Sequence, residues 1–435
     1  MNSHESNSEL SEGRLSTKAQ RFSWCLFDFA NSAFPTVIIT AIYVIYFKDV
    51  VVGSERVGES DKLWGMANSI GAAIVFLTAP LLGAIADFSG KKKLFLIVFS
   101  VLCIVATSLL AFTGSGTVSL AVGAFIVALV GFEGACVFYN AFLPSLVPKH
   151  EMERLSGAGW ALGYLGGLGC LLLCLPIALG KTYLHLIPAV VAIWFALFAI
   201  PAFVYLKDRA PTHAVSAGQA IRQGASRFIS TVLEIGKYKN LVKFLAAFFF
   251  YNNAVATIIV FAVAFSKDSL AFTTAQNITL IIIMNIVAAP GAYAFGWVAK
   301  RIGAKRTIVI TLSMWLAVVA GAEAAAWPGL FSKSGAQNCF WGVAVLASLC
   351  IGAIQATSRT FVGQLAPEGR SGEFFGFMAF AGKGSAIVGP LVFGVVSSTF
   401  DSQRLAVASI GFFFLIGLMM MGFVRTAETR ARDAA

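Results

Sequence analysis

Four ionisable side chains lie inside long apolar stretches of this 435-residue sequence, where charge is rare. They are the carboxylates of Asp28, Glu133 and Glu323 and the ammonium group of Lys383. An ionised side chain near the centre of a bilayer costs about 2.5–3.5 kcal/mol on insertion scales, so it usually faces a cavity or a partner. Burial disfavours an ionised carboxylate, and movement between wet and dry surroundings changes its affinity for a proton. These residues therefore indicate proton exchange or charge recognition inside a membrane.

The carboxylates differ in depth. Helical rise places Glu133 roughly 13 Å and Asp28 roughly 9 Å from the inner ends of their segments. Glu133 is therefore the first candidate for proton coupling and Asp28 the second, because no histidine lies at the centre of an apolar segment. Simpler interpretations remain open: Glu133 could hydrogen-bond a neighbouring helix, and Asp28 could cap its own. Glu323 lies near an outer end, from which it could simply reach the interface.

Lys383 lies about 15 Å from either side of the membrane by the same arithmetic. It is predicted to be the only basic residue deep in an apolar segment, and small residues flank it. One interpretation makes it the counter-charge for an anionic group on a cargo, such as a carboxylate. The other makes it a fixed structural partner of Asp28 or Glu133. Both place Lys383 on a cavity rather than in lipid.

Uncharged polar side chains are predicted to fill the same belt and to bind a small polar solute. Amides both donate and accept hydrogen bonds, which suits a zwitterion. The alternative for each is a hydrogen bond that only holds two helices together. The predicted binding residues, besides Lys383, are Asn31, Asn140, Tyr164, Asn252, Asn253 and Gln355.

The composition indicates that membrane-spanning helices position these residues. Hydrophobic residues make up 58% of the chain and charged residues 12%, with a mean hydropathy of +0.81. Soluble proteins carry about 25% charged residues, which excludes a cytosolic enzyme, a secreted disulfide scaffold and a disordered chain. A bilayer-crossing helix needs about 20 mostly apolar residues. Twelve segments qualify: 22–47, 63–86, 94–112, 117–142, 154–179, 183–206, 241–265, 274–299, 307–327, 338–358, 373–398 and 404–425.

The net charge of +11 agrees with this membrane topology and not with nucleic-acid binding. With the N-terminus in the cytoplasm, about three quarters of the 32 Lys and Arg residues fall on the inner side, Arg359 among them. Both termini are then cytoplasmic. The predicted division is a tail at 1–21, a six-helix bundle at 22–206, a linker at 207–240, a second bundle at 241–425 and a tail at 426–435. The linker is either an amphipathic helix on the inner leaflet or a solvated connection.

The two halves of the chain resemble each other. Residues 29–36 align with 250–257, and residues 83–93 align with 296–306, in the same order along each half. Tyr164 in the first half corresponds to Lys383 in the second. A parallel duplication of a six-helix unit explains these matches.

The duplicated halves, the central loop and the motif Gly83-x-x-x-Asp87-x-x-Gly90-Lys-Lys-Lys93 resemble the major facilitator superfamily. Residues 24–34, 159–167 and 373–383 together are similar to its vacuole-effluxer-like branch, which includes a fungal exporter of vacuolar amino acids. The resemblance implies an all-α membrane protein with twelve helices in two pseudo-symmetric six-helix bundles. It also implies that the polar residues of spans 1 and 4 line a central cavity.

The same resemblance implies a latch at the motif. Asp87 would face the N-terminus of span 11, where the helix dipole favours a carboxylate by up to about 2 kcal/mol, and would hold the halves in an outward-open state. Gly83, Gly90 and Lys91 complete the predicted latch. The alternative is a solvated acid beside topology-setting lysines. Lys300 stands where Asp87 would fall in the second half, so the latch is expected on one side only.

The resemblance implies a secondary transporter of a small polar solute in a bacterial inner membrane, working by alternating access and proton-coupled. Amino-acid-like efflux is the first expectation. The alternatives are an exporter of drugs or metabolites, or a sensor or lipid scramblase with a transporter fold. No enzymatic activity, cofactor or metal site is expected, since the seven cysteines lack metal-ligand spacing and no phosphate-binding loop occurs. A monomer in the lipid bilayer, with a small-molecule substrate and no nucleic-acid partner, is expected.

Overall fold

A computed structural model describes residues 16–180, 182–208, 216–400 and 403–425, and these ranges are helical wherever they are regular. The predicted tail at 426–435, residues 1–15 and linker residues 209–215 lie outside them. Twelve helices of the described chain are long and apolar enough to cross a membrane. They are α1 (Lys18–Gly53), α2 (Val57–Ser89), α3 (Lys92–Leu109), α4 (Val118–Ala141), α5 (Met152–Gly180), α6 (Ile187–Tyr205), α7 (Lys239–Leu270), α8 (Thr274–Ile302), α9 (Ala304–Ala325), α10 (Lys333–Leu365), α11 (Ser371–Phe400) and α12 (Gln403–Gly422).

Helix α1 changes its hydrogen-bond pattern halfway. It begins at a capping box in which the side chains of Thr17 and Gln20 each accept from the other's backbone N–H. After Asn31 the chain continues as a π-helix over Phe34–Ala41, which contains Pro35. Proline has no N–H to donate, and wider turns are one way in which a helix accommodates the missing bond. The outer half of α1 is therefore wound differently from the inner half that carries Asp28.

Each half of the chain has its own apolar core. The N-terminal core is centred on large buried rings, namely those of Trp24, Phe27, Phe125, Phe138 and Phe195. Most of the other core belongs to the C-terminal half, where Phe244, Tyr251, Trp315, Phe340 and Phe414 are buried. This arrangement confirms the predicted fold of two six-helix bundles.

The two bundles meet along symmetric pairs of helices. α2 packs against α11 and α5 packs against α8, which is the same pairing under a shift of six helices. At the first contact, a Cβ on Gly83 would lie 2.2 Å from the carbonyl oxygen of Gly372. At the second, a Cβ on Gly157 would lie 2.6 Å from the carbonyl oxygen of Ala292. The backbones of the two bundles therefore touch directly, as small residues permit.

The linker contains a helix, Ala217–Leu233, that begins at a capping box on Ser216. It packs against the inner end of α2, where a Cβ on Gly224 would lie 2.7 Å from the Cα of Ile85. Ile221, Ile229 and Val232 of this linker helix are largely exposed. A helix with one face on the protein and an exposed apolar face favours the amphipathic interpretation of the linker.

Candidate functional site

A buried ion pair joins the two bundles near the helix ends that the sequence predicts to be cytoplasmic. Nη1 of Arg359, on α10, lies 2.9 Å from Oδ2 of Asp28, on α1. Arg359 also donates from Nε to Oγ of Ser156 at 2.9 Å and from Nη2 to the Ser156 carbonyl at 2.7 Å. Asn140 accepts a longer bond of 3.3 Å from the same guanidinium group. Arg359 is only 3% exposed, so its charge is balanced entirely by these protein groups.

Three aromatic rings surround the same guanidinium group. Its central carbon lies 4.6 Å from the ring centroid of Trp24, 5.5 Å from that of Tyr139 and 5.6 Å from that of Trp160. These distances are within the range of cation–π attraction. Trp24 is fixed in turn, because its indole Nε1 donates to the carbonyl oxygen of Tyr139 at 2.9 Å.

Arg359 corrects the sequence prediction, which placed it in the cytoplasm and took Lys383 for the only basic residue deep in a span. The predicted span ended at residue 358, where the hydropathy falls, but α10 continues to Leu365. Its last two turns are buried by protein on both sides, since Phe361 packs on Phe244 of its own bundle and Thr360 donates to the Met152 carbonyl of the other, so they need not be as apolar as a lipid-facing surface. Two apolar residues after Arg359, Phe361 and Val362, could have indicated that the buried helix continues past residue 358.

A second inter-bundle ion pair lies deeper in the membrane. The ammonium group of Lys383, on α11, donates to Oε1 of Glu133, on α4. The two side chains are 22% and 18% exposed, so this pair is more open than the Arg359 pair. Of the two partners predicted for Lys383, the structure places Glu133 in contact, whereas Asp28 is paired with Arg359.

Two amides of the predicted polar belt meet at the part of α11 that carries Lys383. Nδ2 of Asn252 donates to Oγ of Ser385 at 2.7 Å, and Nε2 of Gln355 lies 3.5 Å from Oδ1 of Asn252. Asn31 reaches the same level from the first half, where its Nδ2 lies 3.8 Å from Sγ of Cys136, one turn along α4 from Glu133.

Three predicted binding residues lie elsewhere. Asn140 contacts Arg359 rather than the Lys383 group. Tyr164 packs beside Trp160, with 5.9 Å between ring centroids. Asn253 is fully buried inside the C-terminal bundle, where a Cβ on Gly389 would lie 1.9 Å from its Oδ1. Asn253 therefore faces bundle packing, not the Glu133–Lys383 pair.

The predicted acid of the loop motif meets a helix end. The two oxygens of Asp87 accept from the backbone N–H groups of Gly372 at 3.0 Å and Glu373 at 2.8 Å, in the first turn of α11. The side chain of Asp87 is fully buried, and Nζ of Lys92 lies 2.8 Å away. Free N–H groups at a helix N-terminus are a favourable site for a carboxylate.

The other motif residues take separate positions. Gly90 ends α2 with a left-handed backbone angle of φ 65°, which glycine adopts at little cost. The basic side chain at Asp87 is that of Lys92, whereas the predicted Lys91 is exposed. Lys92 also donates to Ser371 at 2.7 Å, so it binds both sides of the inter-bundle contact. Lys300, the counterpart of Asp87 in the second half, instead pairs with Glu151 at 2.5 Å.

The linker helix adds charge to this contact. Nε of Arg227 lies 4.0 Å from Oε2 of Glu373, and Nη2 donates to the Gly369 carbonyl at 3.3 Å. Burial lowers the pKa of Arg227, and nearby Arg370 lowers it further. These contacts hold the linker helix against the inner end of α11.

A basic cavity of about 1310 Å³ opens at the helix ends that the sequence predicts to be cytoplasmic, and it is lined mostly by the C-terminal half. None of the predicted binding residues lines it, and neither does Glu133, so it is not the predicted solute site. Its composition agrees with the predicted inner-side location of these loops. The basic side chains that line it include Lys149, Lys237, Lys300, Arg301, Lys305, Arg306 and Arg425.

Among the described residues, no group of three or more His, Cys, Asp or Glu side chains could hold a metal ion. The chemistry of the site therefore lies in two charge pairs, one helix-end contact and a set of amides.

Comparisons with known proteins identify a family and several similar transporters. Residues 59–435 match the family described as "Vacuole effluxer Atg22 like". The uncharacterized MFS-type transporter YxiO of Bacillus subtilis is 30% identical over 417 residues, which cover 93% of this chain and 94% of that protein. Autophagy-related protein 22-1 of Neosartorya fischeri is 24% identical over 300 residues, 65% of this chain and about half (49%) of the fungal protein.

The solved structures agree on the fold. The major facilitator superfamily transporter FucP, in its outward conformation, superposes with a TM-score of 0.72 at 13% sequence identity. The superposition covers 94% of this chain and 99% of FucP. At this identity the likeness concerns the fold alone.

Proposed function

Because the chain belongs to the vacuole effluxer Atg22-like family of major facilitator transporters, we propose that it moves a small polar solute across the inner membrane by proton-coupled alternating access. An amino-acid-like solute is the first candidate, and efflux is the proposed direction. The chain is a multi-pass membrane protein, and its Bacillus subtilis relative supports a plasma-membrane location. Cytoplasmic termini and a monomeric state complete the proposal.

The observation that carries the proposal is the Glu133–Lys383 pair. It joins the two bundles within the membrane, and both side chains are partly exposed. Ionisable residues in membrane helices commonly mark substrate or proton pathways. A carboxylate and an ammonium group in contact can each be satisfied by a different outside partner, the carboxylate by a proton and the ammonium group by an anion.

Coupling of proton and solute follows because each outside partner can bind only when the Glu133–Lys383 pair is broken. When Glu133 takes a proton, Lys383 loses its counter-charge and can bind a carboxylate on the solute. Asn252, which bonds Ser385 two residues further along α11, and Gln355, which contacts Asn252, offer donors and acceptors for further polar groups. When the proton leaves, Glu133 again pairs with Lys383 and displaces the solute. Proton and solute therefore cross together through a single charge pair, and efflux by this cycle is driven by the gradient of the solute, which carries a proton out with it.

The second charge pair controls access. Arg359 and Asp28 join the bundles at the cytoplasmic side, and Asp87 joins α2 to α11 at the same side. We propose that these contacts close the inner side while solute exchanges outside, and that both break when the inner side opens. Asp28 serves as the second proton-coupling group, because its protonation would weaken its bond to Arg359.

The test begins with a solute. Thermal shifts of the purified protein against amino acids, peptides and metabolites identify a ligand, which is then used in proteoliposomes. Glu133→Gln is expected to abolish uptake driven by a pH gradient while exchange of labelled for unlabelled solute continues. The matched control is Glu323→Gln, because Glu323 is also an ion-paired carboxylate within a span, with Arg404 at 3.5 Å in its own bundle.

The result can contradict the proposal in three ways. Unchanged gradient-driven uptake in Glu133→Gln would remove Glu133 from coupling. Lipid movement between leaflets without solute movement would favour the scramblase, and ligand binding without exchange would favour the sensor.

A further inference from the structure

The group that surrounds the Arg359 guanidinium is built from one bundle only. Trp24 and Asp28 are on α1, Tyr139 is on α4 and Trp160 is on α5, all in the N-terminal bundle. Arg359 alone comes from the C-terminal bundle. We refer to Trp24, Asp28, Tyr139 and Trp160 as the cation cage.

The cage has the chemistry of an organic-cation site. Aromatic faces and a carboxylate attract ammonium and guanidinium groups, and the attraction strengthens when water is excluded. One polar atom of the cage, Nε1 of Trp160, is buried and forms no hydrogen bond with any described residue. A buried N–H group usually has a partner, so this donor is available to an acceptor that the closed state does not supply, such as the carboxylate of a zwitterion.

The cage is also kept open by a glycine. A Cβ on Gly159 would lie 2.8 Å from Oδ2 of Asp28, 3.0 Å from Nη2 of Arg359 and 3.0 Å from Trp24. Any larger residue at position 159 would therefore occupy the space in which the guanidinium group lies. The space depends on a residue without a side chain, and Arg359 fills it.

Separation of the bundles must empty the cage. Arg359 is attached to α10, so it leaves with the C-terminal bundle when the cytoplasmic side opens. The four cage residues remain together because they share the other bundle. The Asp28 carboxylate would then lie between three aromatic rings without its counter-charge, an arrangement that favours binding of another cation.

We propose that the cation cage binds the ammonium or guanidinium group of the cargo in the inward-open state, and that Arg359 is its tethered occupant in the closed state. This inference rests on the proposed alternating access and adds a chemical class, organic cations and zwitterions with an amino group. Cargo and Arg359 exclude each other, so cargo bound in the cage prevents closure of the cytoplasmic side until it moves on.

The test removes the Arg359 side chain from the cage and measures binding of a small cation, so it needs no transport assay. Purified Arg359→Ala is titrated with methylguanidinium chloride, and tryptophan fluorescence is followed because Trp24 and Trp160 lie in the cage. We expect a saturable change with half-saturation on the order of 1 mM, as suits so small a ligand. Wild-type protein should show no saturable change in this range, because Arg359 already fills the site. The double variant Asp28→Asn with Arg359→Ala should bind at least tenfold more weakly.

Closure provides a second measurement. Spin labels at positions 151 and 300 report the distance between the bundles, because Glu151 and Lys300 are in contact across the cytoplasmic face. Methylguanidinium should restore the short distance in Arg359→Ala, since it replaces the missing group. Arg359→Gln, which keeps a polar side chain, replaces Arg359→Ala if the alanine variant does not fold.

The proposal is overturned if Arg359→Ala and wild type respond alike, or if Asp28→Asn leaves the response unchanged. Binding of methylguanidinium in a protein that transports nothing would retain the cage and refute the transport proposal. Solute transport without methylguanidinium binding would retain the transport proposal and refute the cage.

Discussion

Replacement of Asp28 by Asn tests the cytoplasmic closure most directly. The variant leaves Arg359 buried in the closed state, where it is 3% exposed, without an ionised partner. Breaking a buried pair by removing one partner typically costs about 3–5 kcal/mol. The bonds of Arg359 to Ser156 and the aromatic rings remain, so we use the lower value, about 3 kcal/mol.

The cost applies to one conformation only. In the inward-open state Arg359 is separated from the N-terminal bundle and water solvates it. The full penalty therefore shifts the equilibrium between the two states. Since about 1.4 kcal/mol corresponds to a factor of ten, Asp28→Asn should move the ratio of inward-open to closed protein upward roughly 100-fold.

The measurement uses pulsed electron–electron spectroscopy on spin labels at positions 151 and 300. The exposed pair at these positions, 2.5 Å apart, contributes little to stability, so its replacement should disturb closure slightly. The wild-type background should show a short distance, and Asp28→Asn mainly a long one. Glu323→Gln is the control, because it breaks an ion pair within a single bundle.

A double variant decides whether the unpaired charge is the cause. Asp28→Asn with Arg359→Gln removes both charges, and replacing a whole buried pair by neutral groups is often close to neutral. Its distance distribution should therefore return toward that of the wild type. A double variant as open as Asp28→Asn, or an Asp28→Asn variant that stays closed, would refute the reasoning.

Three further outcomes are expected. Gly83→Ala should disfavour closure in the same spin-label experiment, because its Cβ would lie 2.2 Å from a backbone oxygen of the other bundle, whereas Gly65→Ala, with nothing within 4 Å, should not. Asp87→Asn should also open the cytoplasmic side, by about 1–2 kcal/mol, since an amide loses one of two helix-end acceptors and the favourable dipole interaction; an unchanged distance would contradict the latch. Burial raises the pKa of Asp208, so its contribution to stability is full at low pH and is lost as the pH rises through the raised value. Thermal unfolding of Asp208→Asn should accordingly lose this part of the pH dependence, and identical profiles for variant and wild type would refute it.

Sequence alone predicted the features that depend on composition and order. Apolar length predicted the twelve spans, and the repeated motifs predicted that α2 and α8 would occupy equivalent places. Both follow from the requirements of the bilayer, which act on each segment separately. The resemblance also located the acid that meets the first turn of α11, because that contact depends on a local motif and a helix end.

The pairing of buried charges could not be predicted in the same way. Sequence left Lys383 with two possible partners, Asp28 and Glu133, because the choice depends on how each helix is rotated about its axis. Arg359 was missed because hydropathy measures contact with lipid, and the inner end of α10 contacts protein. Depth along a helix can be counted from residues, whereas the direction of a side chain depends on the packing of neighbouring helices.

The direct backbone contacts at Gly83 and Gly157 also bear on the kinetics of the cycle. Flexible side chains at such a junction could follow a gradual rotation and keep partial contact at every angle. Backbone atoms without a side chain cannot extend across a widening gap, so a small rotation of one bundle breaks the whole contact at once. Intermediate orientations of the bundles therefore have no stabilising contact at this junction. The protein should populate mainly the two end states. Single-molecule recordings should then show abrupt steps with few dwell times between them.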